Sequence, residues 1–488
     1  MSAVYHEHPV RIIKYSAKNI WLLIFPLLRG INAIRLDRDR MYEWLRGAWF
    51  DILIIVLIVI FGLMRWVCSI VEITPYSITH TDGIVFRLKK TLPYSNLSST
   101  SFEYPFYLRP FGAVAVRCDT SAGLFRSSDL KILVSRRVGD ELHGLLPGIR
   151  DLERAKKIPK PSVISIVLLS MFFSSGFTGT VYLATFFFKG GDIAGDIINT
   201  YLEGITSRTA KVSQRLLIKI PNAAIVTGAF FVGAWLLSFM VNLLKYARFS
   251  LLFDKRYARI SYGALTKKEY SISHSHVNYI DLRQNLIMKL IRATSVNVSC
   301  AGYGNSRKRL PILVPVKRLD RSGRLFEKLG IRKVEKPEHR PPLTGFWQYV
   351  WIPVVVSVSL IPAYLIAARF VPEIKQLTVF FAVMAEIPAV WMIFVKTAAF
   401  FTSGITVYED RICLSYSRYT MFHTIIADRS RIVKAEIEQS VFQRIGRRCS
   451  LCFWFEGESK RRHKVRALRV SSAGEILDIL GTDIRERI

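Results

Sequence analysis

A chain of 488 residues has room for three or four domains, and 51% hydrophobic content against 22% charged residues is more apolar than soluble proteins usually run. A formal net charge of +32 would suit nucleic acid, yet the apolar stretches below make an anionic lipid surface the more economical partner, and nucleic acid is set aside. Six scattered cysteines predict a reducing compartment without disulfides.

Crossing about 30 Å of hydrocarbon takes roughly 20 apolar residues in a helix. Five segments qualify: Trp49 to Val71, Val163 to Phe188, Ala223 to Leu244, Phe346 to Ala368 and Leu377 to Phe401. A sixth, Asn19 to Ile34, is bracketed by Lys18 and Arg29 and reads as a short span or an interfacial helix. The spans come in pairs separated by long polar stretches. Basic residues crowd the polar side: Lys156, Lys157 and Lys160 before one span, Lys245, Arg248, Lys255 and Arg256 after another, and Arg332, Lys333, Lys336 and Arg340 before a third. The positive-inside rule therefore puts the large polar segments in the cytoplasm. The loop between Lys189 and Lys219 is then external, with an apolar helical stripe that suits the outer leaflet.

The polar segments resemble one another. Leu108 to Cys118, Leu290 to Cys300 and Ile445 to Phe455 superpose without a gap, aligning Val114 with Val296 and Leu451, and Val116 with Val298 and Phe453. The period-two alternation predicts a half-buried strand with those positions inward. Cys449 and Cys452 on that strand have an odd separation, so they point to opposite faces and suit packing rather than metal or redox chemistry. Asp82-Gly83 marks a hairpin upstream, whereas the second copy reads Gly263-Ala-Leu-Thr-Lys267 and lacks the pair. Downstream strands are predicted at Lys131 to Ser135, Leu310 to Pro315 and Lys464 to Val470. Short helices follow at Asp140 to Leu146, at Arg321 to Leu329, and after Ser472, which with Glu475 has capping-box spacing; Gly481 closes the last.

Strands followed by one helix, repeated after membrane hairpins, resemble the bacterial pleckstrin-homology-like (membrane-flanked domain) family and its YdbT-like members. The resemblance covers the full length and rests on the Leu-x-x-x-Gly/Thr-x-Val-x-Val pattern at Leu108 and Leu290 and on Ile73-Thr-Pro-Tyr76-Ser-Ile-Thr. It departs at Arg447 and Arg448, where smaller or uncharged residues are expected. It implies an α+β membrane protein in which transmembrane hairpins alternate with three PH-like domains, each a bent, seven-stranded antiparallel sheet capped by a C-terminal helix. The expected organisation is an N-terminal hairpin at 1–71, PH-like domain 1 at 72–160 and a second hairpin at 161–244 with the external loop 189–219. PH-like domain 2 at 245–342, a third hairpin at 343–401 and PH-like domain 3 at 402–488 follow.

No phosphate-cradling G-x-x-x-x-G-K-[ST] loop, no H-E-x-x-H and no G-x-S-x-G elbow occurs, and no enzyme, cofactor or metal is read. His274 and His276 share one face of a predicted strand without a third ligand, and they, like His6 and His8, read as surface histidines. Glu386 lies near the middle of the last span, where a carboxylate costs several kcal/mol unless paired, protonated or wet. Arg369 and Tyr364 on the preceding helix are its candidate partners. Candidate lipid-headgroup contacts are Arg307, Lys308, Arg309, Lys317, Arg318, Arg321 and Arg324, the densest basic run outside the span flanks. The leading expectation is a multi-pass protein of a bacterial cell membrane, a scaffold offering cytoplasmic PH-like domains to anionic lipid or partner proteins in envelope organisation or stress resistance. A second PH-like membrane protein or a homo-oligomer is the expected protein partner. The alternative is a transporter or lipid-handling protein that uses Glu386 in a helical bundle.

Overall fold

The computed structural model describes residues 3–13, 15–16, 38–120, 128–146, 156–157, 163–173, 222–254, 256–300, 312–318, 336–370, 375–456 and 462–481. They fall into two compact units, the first drawn from 1–159, 248–277 and 300–306, the second from 160–247, 278–299 and 307–488.

In the first unit, β1 (Ala3–His6) is followed by the long helix α1 (Arg38–Val67) and then by β2 (Ile70–Ile73), β3 (Ser77–Asp82) and β4 (Leu88–Pro93). These four strands pair in order as one antiparallel sheet. A 3-10 turn at Tyr94–Asn96 leads into β5 (Leu97–Tyr104), β6 (Ala113–Thr120), β7 (Leu130–Ser135) and the helix α2 (Arg136–Leu145). Ile73 and Ile78 from the first sheet, Phe102, Val114, Val116 and Ile132 from the second, and Val138 and Leu142 of α2 share one buried core. Seven strands and a capping helix are thus complete here, with α2 starting one turn before the predicted Asp140.

The next strands of this unit, β8 (Lys156–Lys157), β9 (Ser250–Phe253), β10 (Tyr257–Tyr262) and β11 (Lys267–Ser273), do not stand apart. β11 pairs antiparallel with β5, giving a seven-stranded sheet ordered β7-β6-β5-β11-β10-β9-β8.

The second unit repeats this joint. It contains the apolar helices α3 (Val163–Phe173) and α4 (Asn222–Tyr246), then β12 (Val277–Asn285), α5 (Leu286–Leu290), β13 (Ala293–Cys300) and β14 (Ile312–Arg318). After two long helices, α6 (Trp347–Phe370) and α7 (Lys375–Thr402), come β15 (Gly404–Val407), β16 (Arg411–Arg418), β17 (Met421–Asp428), β18 (Ile432–Glu438), α8 (Val441–Ile445), β19 (Arg448–Phe455), β20 (His463–Arg469) and α9 (Val470–Ile479). β12 pairs with β17 in a sheet ordered β14-β13-β12-β17-β16-β15, while β18, β19 and β20 form their own three-stranded sheet. Leu451, Phe453, Val465, Ile476 and Leu477 fill the core beneath them, joined by Tyr279 from β12.

The ungapped superposition is two residues out, since the strands open at Ala113, Ala293 and Arg448, each just after a residue with left-handed φ: Gly112 (65°), Arg292 (51°) and Arg447 (46°). Arg447 therefore occupies the turn position of Gly112, which accounts for one of the two departures in the third copy. The inward positions of β6 and β19 survive because a slip of two keeps every side chain on its face, with Val114, Val116, Leu451 and Phe453 in the cores, whereas β13, expected to be half-buried, is buried on both faces. The second copy has not lost its turn. At Gly83 (φ 119°) a Cβ would lie 2.0 Å from the Phe86 carbonyl oxygen, and at Gly263 (φ 109°) 2.0 Å from that of Thr266, so glycine rather than aspartate is what the turn requires. The capping box sits on α8, where Ser440 and Gln443 cap each other's backbone, and not at Ser472, which lies inside α9. Gly481 does close α9, with φ 72° and its N–H donating to the Asp478 carbonyl. Cys449 faces the core and Cys452 lies outside that cluster, both as free thiols.

The described parts of the apolar segments are helical: α1 starts at Arg38, well before the predicted Trp49, and ends at Val67, with Ile70 and Val71 already in β2, while α4, α6 and α7 match within two residues. Leu343–Phe370 and Ala385–Thr402 are long and apolar enough to cross a membrane, and Leu53–Val67 and Val232–Tyr246 are shorter apolar stretches. α6 shows an exposed apolar flank, Val358, Ile361 and Leu365, of the kind a lipid environment covers. Residues 19–34, 174–188, 189–219 and 321–329 lie outside the described residues.

Candidate functional site

The first unit contains a cleft of about 460 Å³ whose walls carry five cationic side chains and two carboxylates. Every wall is a different element. Arg109 comes from the 3-10 turn before β6, Arg136 and Asp140 from the first two turns of α2, Arg259 from β10, and Lys267 and Glu269 from β11. Arg248, two residues past α4, completes the ring in a left-handed conformation (φ 56°). The joint between β5 and β11 creates this cleft, because it brings the end of β5 and the start of α2 alongside β10 and β11.

Glu269 is its electrostatic anchor. Its Oε2 accepts from Arg259 Nη2 at 2.5 Å and lies 3.3 Å from His143 Nε2, and its Oε1 is 2.6 Å from Lys267 Nζ. Burial alone would raise this carboxyl, but the hydrogen bonds from His143, Lys267 and Arg259 outweigh it and hold the group well below the usual carboxylate range. Tyr104, under the Lys267 ammonium, is pushed up to about 12 by burial.

One carboxylate thus serves Arg259 and Lys267. Among the described residues, no ion pair engages Arg109, Arg136 or Arg248, and Arg109 only reaches the Ala264 carbonyl at 3.4 Å. Among the described residues these three guanidiniums, with no ion pair, converge on one cleft beside Asp140, an arrangement whose geometry suits phosphate or carboxylate oxygens.

The predicted site residues fare differently. Arg307, Lys308, Arg309, Arg321 and Arg324 lie outside the described residues, and for Lys317 and Arg318 the backbone alone is described, opposite Thr294 and Ala293. Among the described residues, Glu386 makes no hydrogen bond or ion pair with Arg369 or Tyr364. The Ser357 hydroxyl on α6 donates to it instead, because Ser357 lies much deeper in the helix than either predicted partner. His274 and His276 form a 3-10 turn rather than a strand, and His274 Nε2 is spent on the Asp254 carbonyl at 2.9 Å. Among the described residues, no group of three or more His, Cys, Asp or Glu is placed to hold a metal. Sequence reasoning took Arg248 for a topology signal and passed over Arg109 and Arg136, since no local pattern links residues on five separate elements.

A family model for the bacterial PH domain matches residues 23–159 and 210–330. A curated relative, UPF0699 transmembrane protein YdbT of Bacillus subtilis (strain 168), is 26% identical over 243 residues, 48% of this chain. The match spans less than half, 46%, of that relative's own length. No solved structure matches. With more than half of its residues under the family model, the chain belongs to the bacterial PH domain family.

Proposed function

We propose that this protein is a multi-pass membrane scaffold that holds three PH-like domains against the cytoplasmic face of a bacterial membrane and binds an anionic, phosphate-bearing headgroup in the cleft at the first joint. The observation that carries this reading is the convergence of Arg109, Arg136 and Arg248 on a cleft whose Glu269 is already held by other cations. Arg248 lies two residues past the apolar helix α4, which supports a cleft at headgroup level, where each cation near an anionic leaflet is worth about 1 kcal/mol. The apolar helices and the transmembrane relative support the membrane anchor, and the flanking Lys and Arg support the orientation.

The test is lipid retention. Purified from membranes in mild detergent and examined by native mass spectrometry, the wild-type chain retains anionic phospholipid over phosphatidylcholine. The Arg136→Gln, Arg248→Gln double variant loses most of that preference while melting at the same temperature. Equal retention by the two proteins refutes the cleft as the site. Transport through Glu386 is the weaker reading, because the Ser357 hydrogen bond gives that carboxyl an ordinary packing role.

A further inference from the structure

The two joints are built alike. In the first, Ile272, the second-last residue of β11, faces Ser99, the third of β5. In the second, Ile426, one step earlier on β17, faces Ile280, one step later on β12, which is the same register. Each joint also sets an acid of the β5-type strand against a base of the β11-type strand. Glu103 lies 3.3 Å from Lys268, and Asp281 lies 3.0 Å from His423 Nδ1.

Among the described residues, one half of this joint is unpaired in the first repeat and the other half in the third. β4 holds the place in the first repeat that β11 and β17 hold in the others, and among the described residues it borders β3 alone. β18 holds the place of β5 and β12, and it borders β19 alone. β4 is exposed along nearly its whole length, and β18 is nowhere fully buried, whereas β5 is buried throughout except at Tyr104.

We infer that β18 of one copy pairs with β4 of a second copy in the same register as the two internal joints, linking chains head to tail. The inference rests on the scaffold reading and supplies its partner. Carrying the register across sets Lys90 opposite Glu436, Thr91 opposite Ala435 and Leu88 opposite Glu438. Glu438 then stands where Glu103 stands and Lys90 where Tyr270 stands, a pair whose side chains meet at 3.5 Å in the first joint. Lys90 therefore lies between two carboxylates, and opposite charges directly across a ladder favour pairing. The acids of β18 are now held by Lys434, Arg462 and Lys464 at partly exposed positions, where exchanging ion-pair partners costs little. Lysines on an edge strand ordinarily deter pairing. Here the acids at the matching positions make that deterrence selective.

The experiment uses the full chain in its membrane, in two differently tagged copies, one carrying Lys90→Cys and the other Glu436→Cys. Mild oxidation is expected to give a disulfide-linked species of twice the chain mass that carries both tags, with a peptide joining positions 90 and 436. The same copies without the new cysteines control for native thiols. A charge-reversal pair provides a readout free of disulfide geometry: Lys90→Glu reduces co-capture of the two tags at least tenfold, and Glu436→Lys in the other copy restores it. Three results overturn the inference: no cross-link although both cysteines react with maleimide; a cross-link only when both cysteines are on one chain; or a Lys90→Glu copy that co-captures normally. If lipid retention persists while the copies fail to link, the pairing is wrong and the membrane scaffold stands.

Discussion

Asp281→Ala probes the second joint at a buried carboxylate. The Asp281 side chain is 1% exposed and takes Arg283 Nε at 2.6 Å and His423 Nδ1 at 3.0 Å, so one carboxylate binds its own strand and β17, 142 residues away. Removing it leaves the Arg283 guanidinium, 10% exposed, without an ion-pair partner among the described residues. Breaking a buried pair from one side costs about 3–5 kcal/mol, because the stranded charge keeps its desolvation penalty. At roughly 2–4 °C per kcal/mol, the melting temperature of the detergent-solubilised protein should fall by about 10 °C. Tryptophan fluorescence on heating measures this. Adding Arg283→Met to Asp281→Ala removes the stranded charge and should recover most of the loss, a coupling of about 2 kcal/mol in the double-mutant cycle. A loss under about 1 kcal/mol, or strictly additive effects, would show that this triad does not hold the joint.

Other outcomes follow from backbone and burial. Arg292→Gly and Arg447→Gly should each stabilise the fold by up to about 1 kcal/mol, because both residues occupy left-handed φ where a Cβ is penalised; unchanged melting would refute the strain. Gly83→Ala and Gly263→Ala should each cost about 3 kcal/mol, since the new Cβ meets a carbonyl oxygen at 2.0 Å, whereas Gly112→Ala, with open space around it, should cost about 1 kcal/mol. Denaturant titrations can rank the three. Burial raises the Asp119 carboxyl to about 6, so the folded chain keeps a proton that the unfolded chain has lost near pH 4. Stability should therefore fall by about 3 kcal/mol as pH rises from about 4 to 6, and Asp119→Asn should flatten that window. An identical pH profile for the variant would count against the burial assignment.

Much of the architecture is legible because it depends on short-range pattern. Apolar length gives α4, α6 and α7 within two residues, and period two gives the inward faces of β6 and β19 even though the superposition slips by two. Glycine punctuation is read less well. The Asp82-Gly83 pair marks the first turn in the sequence and is missing from the second copy, but the shared clash at Gly83 and Gly263 shows that the missing Cβ carries the turn. The basic cleft was invisible for a different reason. Its cations are spread from Arg109 to Lys267, and only the pairing of β5 with β11 brings them together.

The same pairing explains a feature of the sequence that alternation rules cannot. A strand on the surface of a domain should read apolar-in and polar-out, yet β5 is Leu-Ser-Ser-Thr-Ser-Phe-Glu-Tyr, rich in hydroxyls, and it is buried from Leu97 to Glu103. At a joint, both faces of the strand are covered. Phe102 enters the core of its own repeat, while Glu103, on the opposite face, meets Lys268 and the Tyr270 hydroxyl of the next. Small hydroxyl residues fit such a position, since they take up little room and satisfy themselves locally, as Ser98 does by donating to the Asp119 carbonyl at 2.8 Å. In the second joint the outward face does more: Tyr279 of β12 crosses into the next repeat's core and packs on Phe455 and His463, with ring centroids 5.2 and 5.1 Å apart. A polar strand buried on both faces is thus the local mark of a joint. By that criterion β18, which alternates Ile432, Ala435 and Ile437 inward with Lys434, Glu436 and Glu438 outward, is a β5-type strand whose second face still meets solvent.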